Sequence, residues 1–163
     1  MDAEALVQKY RTKGVLFDTN LLLVLAVGTY SRARVATFKR TYQYTIDDFD
    51  LIQWLAFAFE RRVTTPNILT EVDNLARQLP NAEHRAVADA IAMLVDCLFE
   101  KYFASAGVVR SNRFFRLGLT DCVTISAAED LLVLTDDFQL SNLLSKLGRD
   151  AININHIRTL TWR

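Results

Sequence analysis

The sequence predicts an α/β fold, with a mostly parallel sheet covered by helices on both faces. Three observations carry that prediction. Short apolar runs of strand length, VLFD at 15–18, LLVLT at 131–135 and AINI at 151–154, are bounded by polar or turn-forming residues. Longer stretches with helical apolar spacing separate them, and strands joined through helices pair in parallel. Glycine and proline number only 5 and 2 in 163 residues, which favours long helices and short turns.

The elements follow in order. Residues 2–11 have weak helical character, ended by Lys13-Gly14. Gly14 leads into the VLFD strand, and TNLLLVLAVG follows at once, with Thr19 or Asn20 suited to cap a helix and Gly28 to stop it. A strand running straight into a helix opens a βαβ unit. Residues 45–62 predict a helix capped by Asp47 or Asp48, with Leu51, Leu55, Ala58 and Phe59 at helical spacing and Arg61-Arg62 complementing its C-terminal dipole. Val63-Thr64 reads as a short strand, Thr65 as an N-cap and Pro66 as the first helical residue. Ile68, Leu69, Val72, Leu75, Ala76 and Leu79 then form an apolar stripe. A further helix is expected over 82–104, with Val87, Ile91, Leu94, Val95, Leu98 and Tyr102 on one face. Thr120 is expected to cap a short helix, LLVLT to form a buried strand, and FQLSNLLSKLG a helix ending at Gly148 before the AINI strand. No repeat or linker-like stretch interrupts the chain, so 1–163 is expected to be one domain.

Composition excludes several classes. With 51% hydrophobic and 23% charged residues the chain is not disordered as a whole. Lys+Arg and Asp+Glu are both 19, which excludes blanket electrostatic nucleic-acid binding and leaves only local basic patches. Cys97 and Cys122 match no zinc or disulfide pattern and read as small core residues, and His84 and His156 are isolated. Neither a Ser/His/Asp order nor a Gly-rich phosphate loop is evident. The apolar run LLLVLAV at 21–27 is far short of the ~20 residues a membrane span needs. The N-terminus has no apolar leader core, so no membrane partner and a cytoplasmic location are expected.

In a parallel sheet the ligand site lies beyond the carboxyl ends of the strands. Asp18 ends the first strand, and Asp136 and Asp137 follow the LLVLT strand on the same edge. Asp121 opens a helix, where the dipole favours its charge. Glu71 lies one turn from both Ile68 and Leu75, on or beside the buried stripe, where an unpaired carboxylate is costly. Any one of these acids alone is expected to be a cap or an ion-pair partner. If the sheet is parallel they can converge at one edge from four separate segments, where two bare charges about 4 Å apart repel by roughly 4 kcal/mol at an effective dielectric near 20. Such a cluster needs a cation. With no His or Cys beside it the ligands are hard oxygens, which favours Mg²⁺ or Mn²⁺, and such an ion orients and activates water for attack on a phosphodiester.

Arginine outnumbers lysine, 14 to 5. Arg32, Arg34, Lys39 and Arg40 precede Tyr42 and Tyr44, a cluster suited equally to RNA or to a partner protein. Arg110, Arg113 and Arg116, interleaved with Phe114 and Phe115 just before Asp121, suit phosphate contact and base stacking.

Four stretches, VLFDTNLLL, TTPNILTEVDNL, LGLTDCVTISAA and LVLTDDFQL, resemble in order and setting the four acidic motifs of the PIN domain metal-dependent nucleases, over roughly residues 14–155. The resemblance implies a three-layer α/β/α sandwich, RNA as the usual substrate, and Asp18, Glu71 and Asp121 as core acids binding Mg²⁺ or Mn²⁺. The Thr135-Asp136-Asp137 stretch points to Asp137 as the fourth, with Asp136 as a substituting or assisting neighbour. It further implies that Thr19 and Asn20 hold Asp18 and that Thr135 holds the fourth acid. Small members of that family form homodimers and pair with antitoxin proteins, and both are expected partners here. The aromatic-rich segment 30–62 departs from the commonest small toxins. Two other readings stand beside this one: a catalytically silent interaction module using that segment, and a nuclease acting on single-stranded DNA.

Overall fold

The computed structural model describes residues 2–161, and side chains over 2–158. Five strands form one all-parallel sheet: β1 (Val15–Phe17), β2 (Arg62–Thr64), β3 (Phe99–Glu100), β4 (Leu132–Thr135) and β5 (Ala151–Asn153), in the order β3-β2-β1-β4-β5. The chain winds outward from β1 to β3, then crosses back and winds the other way through β4 and β5. Right-handed crossovers put the helices of the two halves on opposite faces, giving the expected three layers. The order reverses between β1 and β4, and Asp18 stands there.

The central helix α2 (Thr19–Tyr30) is buried from Leu21 through Gly28. A helix apolar all round is stable only when covered all round. Around α2 pack α3 (Arg32–Val35), α4 (Ile46–Phe57), α5 (Pro66–Ala76) and α6 (His84–Val95). On β4 and β5 pack α1 (Ala3–Tyr10) and α9 (Phe138–Lys146), and α1 is fixed there by Lys9 and Tyr10 donating to Asp150 at 2.6 and 2.9 Å. Between the halves lie α7 (Ser105–Val108) and α8 (Phe114–Ala127), and α10 (Ile154–Thr161) follows β5 directly. Among the described residues no helix is long and apolar enough to cross a membrane.

Several local expectations are corrected. The cap of α2 is Asp18, one residue before Thr19, and Thr45 rather than Asp47 or Asp48 caps α4, in a capping box with Asp48. Arg61-Arg62 lies beyond α4, and Arg62 already belongs to β2. The helix expected over 82–104 ends at Val95, because Phe99 and Glu100 add an edge strand paired in register with Val63 and Thr64. Tyr102, expected on the apolar face, is exposed, and so is Cys97, whereas Cys122 is buried as expected. Thr65 and Pro66 do start α5 as read, with the Thr65 hydroxyl accepting from the Ile68 amide. Gly148, at φ +68°, follows α9.

Gly28 does not stop α2, which runs two residues further. Its role is contact: a Cβ there would lie 2.2 Å from Cδ2 and 2.4 Å from Cε2 of the buried Phe49 ring on α4. Gly28→Ala is therefore expected to destabilise the protein by about 1–3 kcal/mol through overpacking. Urea unfolding measures this, and an unchanged midpoint would mean the Phe49 ring can turn aside.

Candidate active site

The site grows from the ends of β1 and β4. Asp18 is buried at 7% exposure, and its Oδ1 accepts from the Leu21 amide at 2.9 Å as the cap of α2. Its Oδ2 accepts from the Thr135 hydroxyl and, at 3.2 Å, from the Asp136 amide. The Thr135 hydroxyl in turn accepts from the Asp137 amide at 2.9 Å, so one threonine joins the two strand ends. Asp137 caps α9 through one oxygen, Oδ1, which accepts from the Gln139 and Leu140 amides at 2.6 and 3.0 Å.

The third segment is α8, which Gly118 interrupts at φ +81°, ψ 179°, a conformation that favours glycine. Helix resumes beyond it, placing Thr120 and Asp121 in the first turn of the second part. Thr120 was expected as a cap. Instead its hydroxyl donates to Glu71 Oε1 on α5. Thr19 donates to Glu71 Oε2 at 2.9 Å. Glu71, expected on or beside the buried stripe, is exposed, and its two oxygens bind threonines from two other segments.

Electrostatics show what these contacts bring together. Burial, and next the Asp136 charge, push the Asp18 carboxyl up to about 7 despite its three hydrogen bonds. Burial, then Asp137, then Glu71 push Asp121 up to about 6. Among the described residues no Lys, Arg or His nitrogen lies within 4.0 Å of Asp18, Glu71, Asp121, Asp136 or Asp137. Eight of the other fourteen acids do have such partners among the described residues, for example Asp48 with Arg158, whose bonds with those from Thr45 outweigh burial and hold that carboxyl below its usual range.

The expected supporting roles are redistributed. Asn20 reaches Asp136 at 3.0 Å rather than Asp18, Thr19 holds Glu71, and Thr135 holds Asp18 directly. Asp136 is occupied: Tyr44 and, at 3.1 Å, Gln43 donate to its Oδ2. Its carbonyl accepts from Asn153 and Asn155 at 3.3 and 3.0 Å. Sequence spacing gave no hint of Gln43, Tyr44, Asn153 or Asn155, because their contacts cross from 17 to 93 residues of chain.

The arginine clusters separate. Arg32 binds Asp50 at 2.5 and 2.7 Å, Arg34 binds Glu83, and Arg40 binds Gln78 at 2.8 Å, so this first cluster pins α3 and the chain after it to the body. Arg110 and Arg113 instead line a groove of about 540 Å³ with Phe103, Val108, Cys122 and Ile125. Arg116 is exposed beside Phe115, itself 98% exposed. Cys122 follows Asp121 directly in the chain, but none of the five carboxylates lines the groove.

In donor type and charge the carboxylates suit a hard divalent cation: oxygen ligands only, with Asp18 buried and Asp121 half-buried and neither given a counter-charge within 4.0 Å among the described residues. Their side chains are turned to hydroxyl and amide donors, and among the described residues no three His, Cys, Asp or Glu are grouped so as to hold a metal ion. Comparison with protein-family models, curated proteins and solved structures finds no match.

Proposed function

We propose that the chain is a Mg²⁺- or Mn²⁺-dependent endoribonuclease of the PIN type, in which Asp18, Glu71, Asp121 and Asp137 would hold the ion. One observation carries the reading: at the switch point of a parallel sheet Asp18 is raised by burial and by Asp136, and Asp121 by burial, Asp137 and Glu71, with no Lys, Arg or His nitrogen within 4.0 Å of any of them among the described residues. Such a pocket favours a cation over any anion or neutral ligand. When bound, the ion supplies Lewis-acid activation of water and of the scissile phosphate.

The rest falls to the chain. Thr135 and the Asp136 amide hold Asp18, and Thr19 and Thr120 hold Glu71, as outer partners of the carboxylates that would take the ion. Arg110 and Arg113 would take backbone phosphates, and the exposed Phe115 a base. A homodimer, an antitoxin or other protein partner, and a cytoplasmic location belong to the same proposal.

End-labelled RNA incubated with the purified chain tests it. Cleavage is expected with Mn²⁺, none with EDTA, and none from Asp121→Asn. Arg110→Ala with Arg113→Ala should raise KM with little change in kcat. Cleavage of single-stranded DNA alone would change the substrate. Inactivity on both, with no heat of Mn²⁺ binding, would leave an interaction module.

A further inference from the structure

The function above leaves the aromatic segment between α2 and α4 unused, yet part of that segment enters the carboxylate pocket. Tyr44 is 1% exposed, and its hydroxyl donates to Asp136 Oδ2. Gln43 shares that oxygen and Asn20 takes the other, so each carboxylate oxygen of Asp136 faces a donor. Its backbone is fixed as firmly, with the N–H on Asp18 and the carbonyl on two asparagines. Tyr44 is itself clamped: the Arg158 guanidinium lies 4.9 Å from its ring centroid and binds Asp48, which closes the α4 capping box just after Tyr44.

We propose that Tyr44 is a positioning residue: by holding the Asp136 carboxylate aside with Gln43 and Asn20, it sets the Asp136 amide to brace Asp18 and leaves Asp137 as the acid facing Asp121. The inference rests on the metal-site reading, and it assigns Asp136 to support rather than to ligation. Three neutral donors on one carboxylate lower its appetite for a cation, while the adjacent peptide, held at both ends, fixes the direction of Asp18.

Two measurements on the full chain test this. The first is Mn²⁺ titration calorimetry on wild type, Tyr44→Phe, Asp136→Asn and the double variant. Tyr44→Phe keeps the ring and its packing, and is expected to weaken Mn²⁺ binding by about tenfold, the usual effect of an outer hydrogen bond. In the Asp136→Asn background the same change should add little, because the hydroxyl acts through that carboxylate. A purely structural tyrosine would give equal losses in both backgrounds. The second is metal-free: the Asp136 amide resonance should move in Tyr44→Phe while those of Leu132 and Val133 stay in place. Unchanged or tighter Mn²⁺ binding by Tyr44→Phe, or a still Asp136 amide, overturns the assignment with the nuclease reading intact. Absence of Mn²⁺ binding by the wild type overturns both, and is told apart by its appearance before any substitution.

Discussion

Asp18→Asn is expected to lower metal-dependent RNA cleavage by at least about 10³-fold, roughly 4 kcal/mol of transition-state stabilisation, while the protein remains folded. The asparagine Oδ1 can still accept from the Leu21 amide, so the cap of α2 survives. What disappears is the buried negative charge of Asp18 at the switch point. The new NH₂ meets the Asp136 N–H, a donor facing a donor, and the Thr135 hydroxyl must turn to accept instead. Single-turnover cleavage and urea unfolding on the same preparation separate the two effects. Wild-type cleavage by the variant would remove Asp18 from the ligand set and with it the centre of the proposed site.

A second large effect is a dependence of stability on pH that runs against habit for carboxylates. Burial and the Asp136 charge hold Asp18 in the fold at about 7 against an ordinary 3.8, so between those values the folded chain binds more protons than the unfolded chain. Stability from this group is therefore greatest below the unfolded value and falls as pH rises through about 7, by up to about 4 kcal/mol. Asp121, raised to about 6, acts in the same direction. Asp48 and Asp150, lowered net by Arg158 and by Lys9 in spite of burial, act oppositely and lose their contribution on acidification. The metal-free protein should thus be most stable near about pH 5 and weaken toward about pH 8. Saturating Mn²⁺ should recover the loss at the higher pH by mass action on the folded state. Denaturant midpoints across that range, with EDTA or Mn²⁺, give the measurement. A flat profile in EDTA, or Asp18→Asn sloping as steeply as wild type, would show that the buried charge is compensated.

Legibility differed by kind of feature. Strands β1, β4 and β5 were readable because each is a short apolar run bounded by a turn, and β1 and β4 are buried on both faces. The start of α5 was readable because Thr65-Pro66 is a local signal. Edge strand β3 was not, since its two residues lie between Leu98 and Tyr102, which continue the apolar spacing of the helix before them, and only β2 alongside makes them a strand. The acids Asp18, Asp121, Asp136 and Asp137 stood out by their place after strands or at a helix start. Glu71 was placed on or beside a buried face when it lies outside, because helical spacing gives direction only to within a residue or so.

By itself the sequence determined the layers, the parallel sheet and the acids at its carboxyl edge, all of which follow from period, turn chemistry and strand-end position. Tertiary structure alone decided which hydroxyl holds which carboxylate, that Asp136 is captured by Tyr44 and Gln43, and that Arg32, Arg34 and Arg40 bind the body. The physical reason is range. Periodicity and capping act within a turn or a strand, whereas burial and the partner of a charge are properties of side chains that meet only after more than a hundred residues of chain have folded between Asp18 and Thr135.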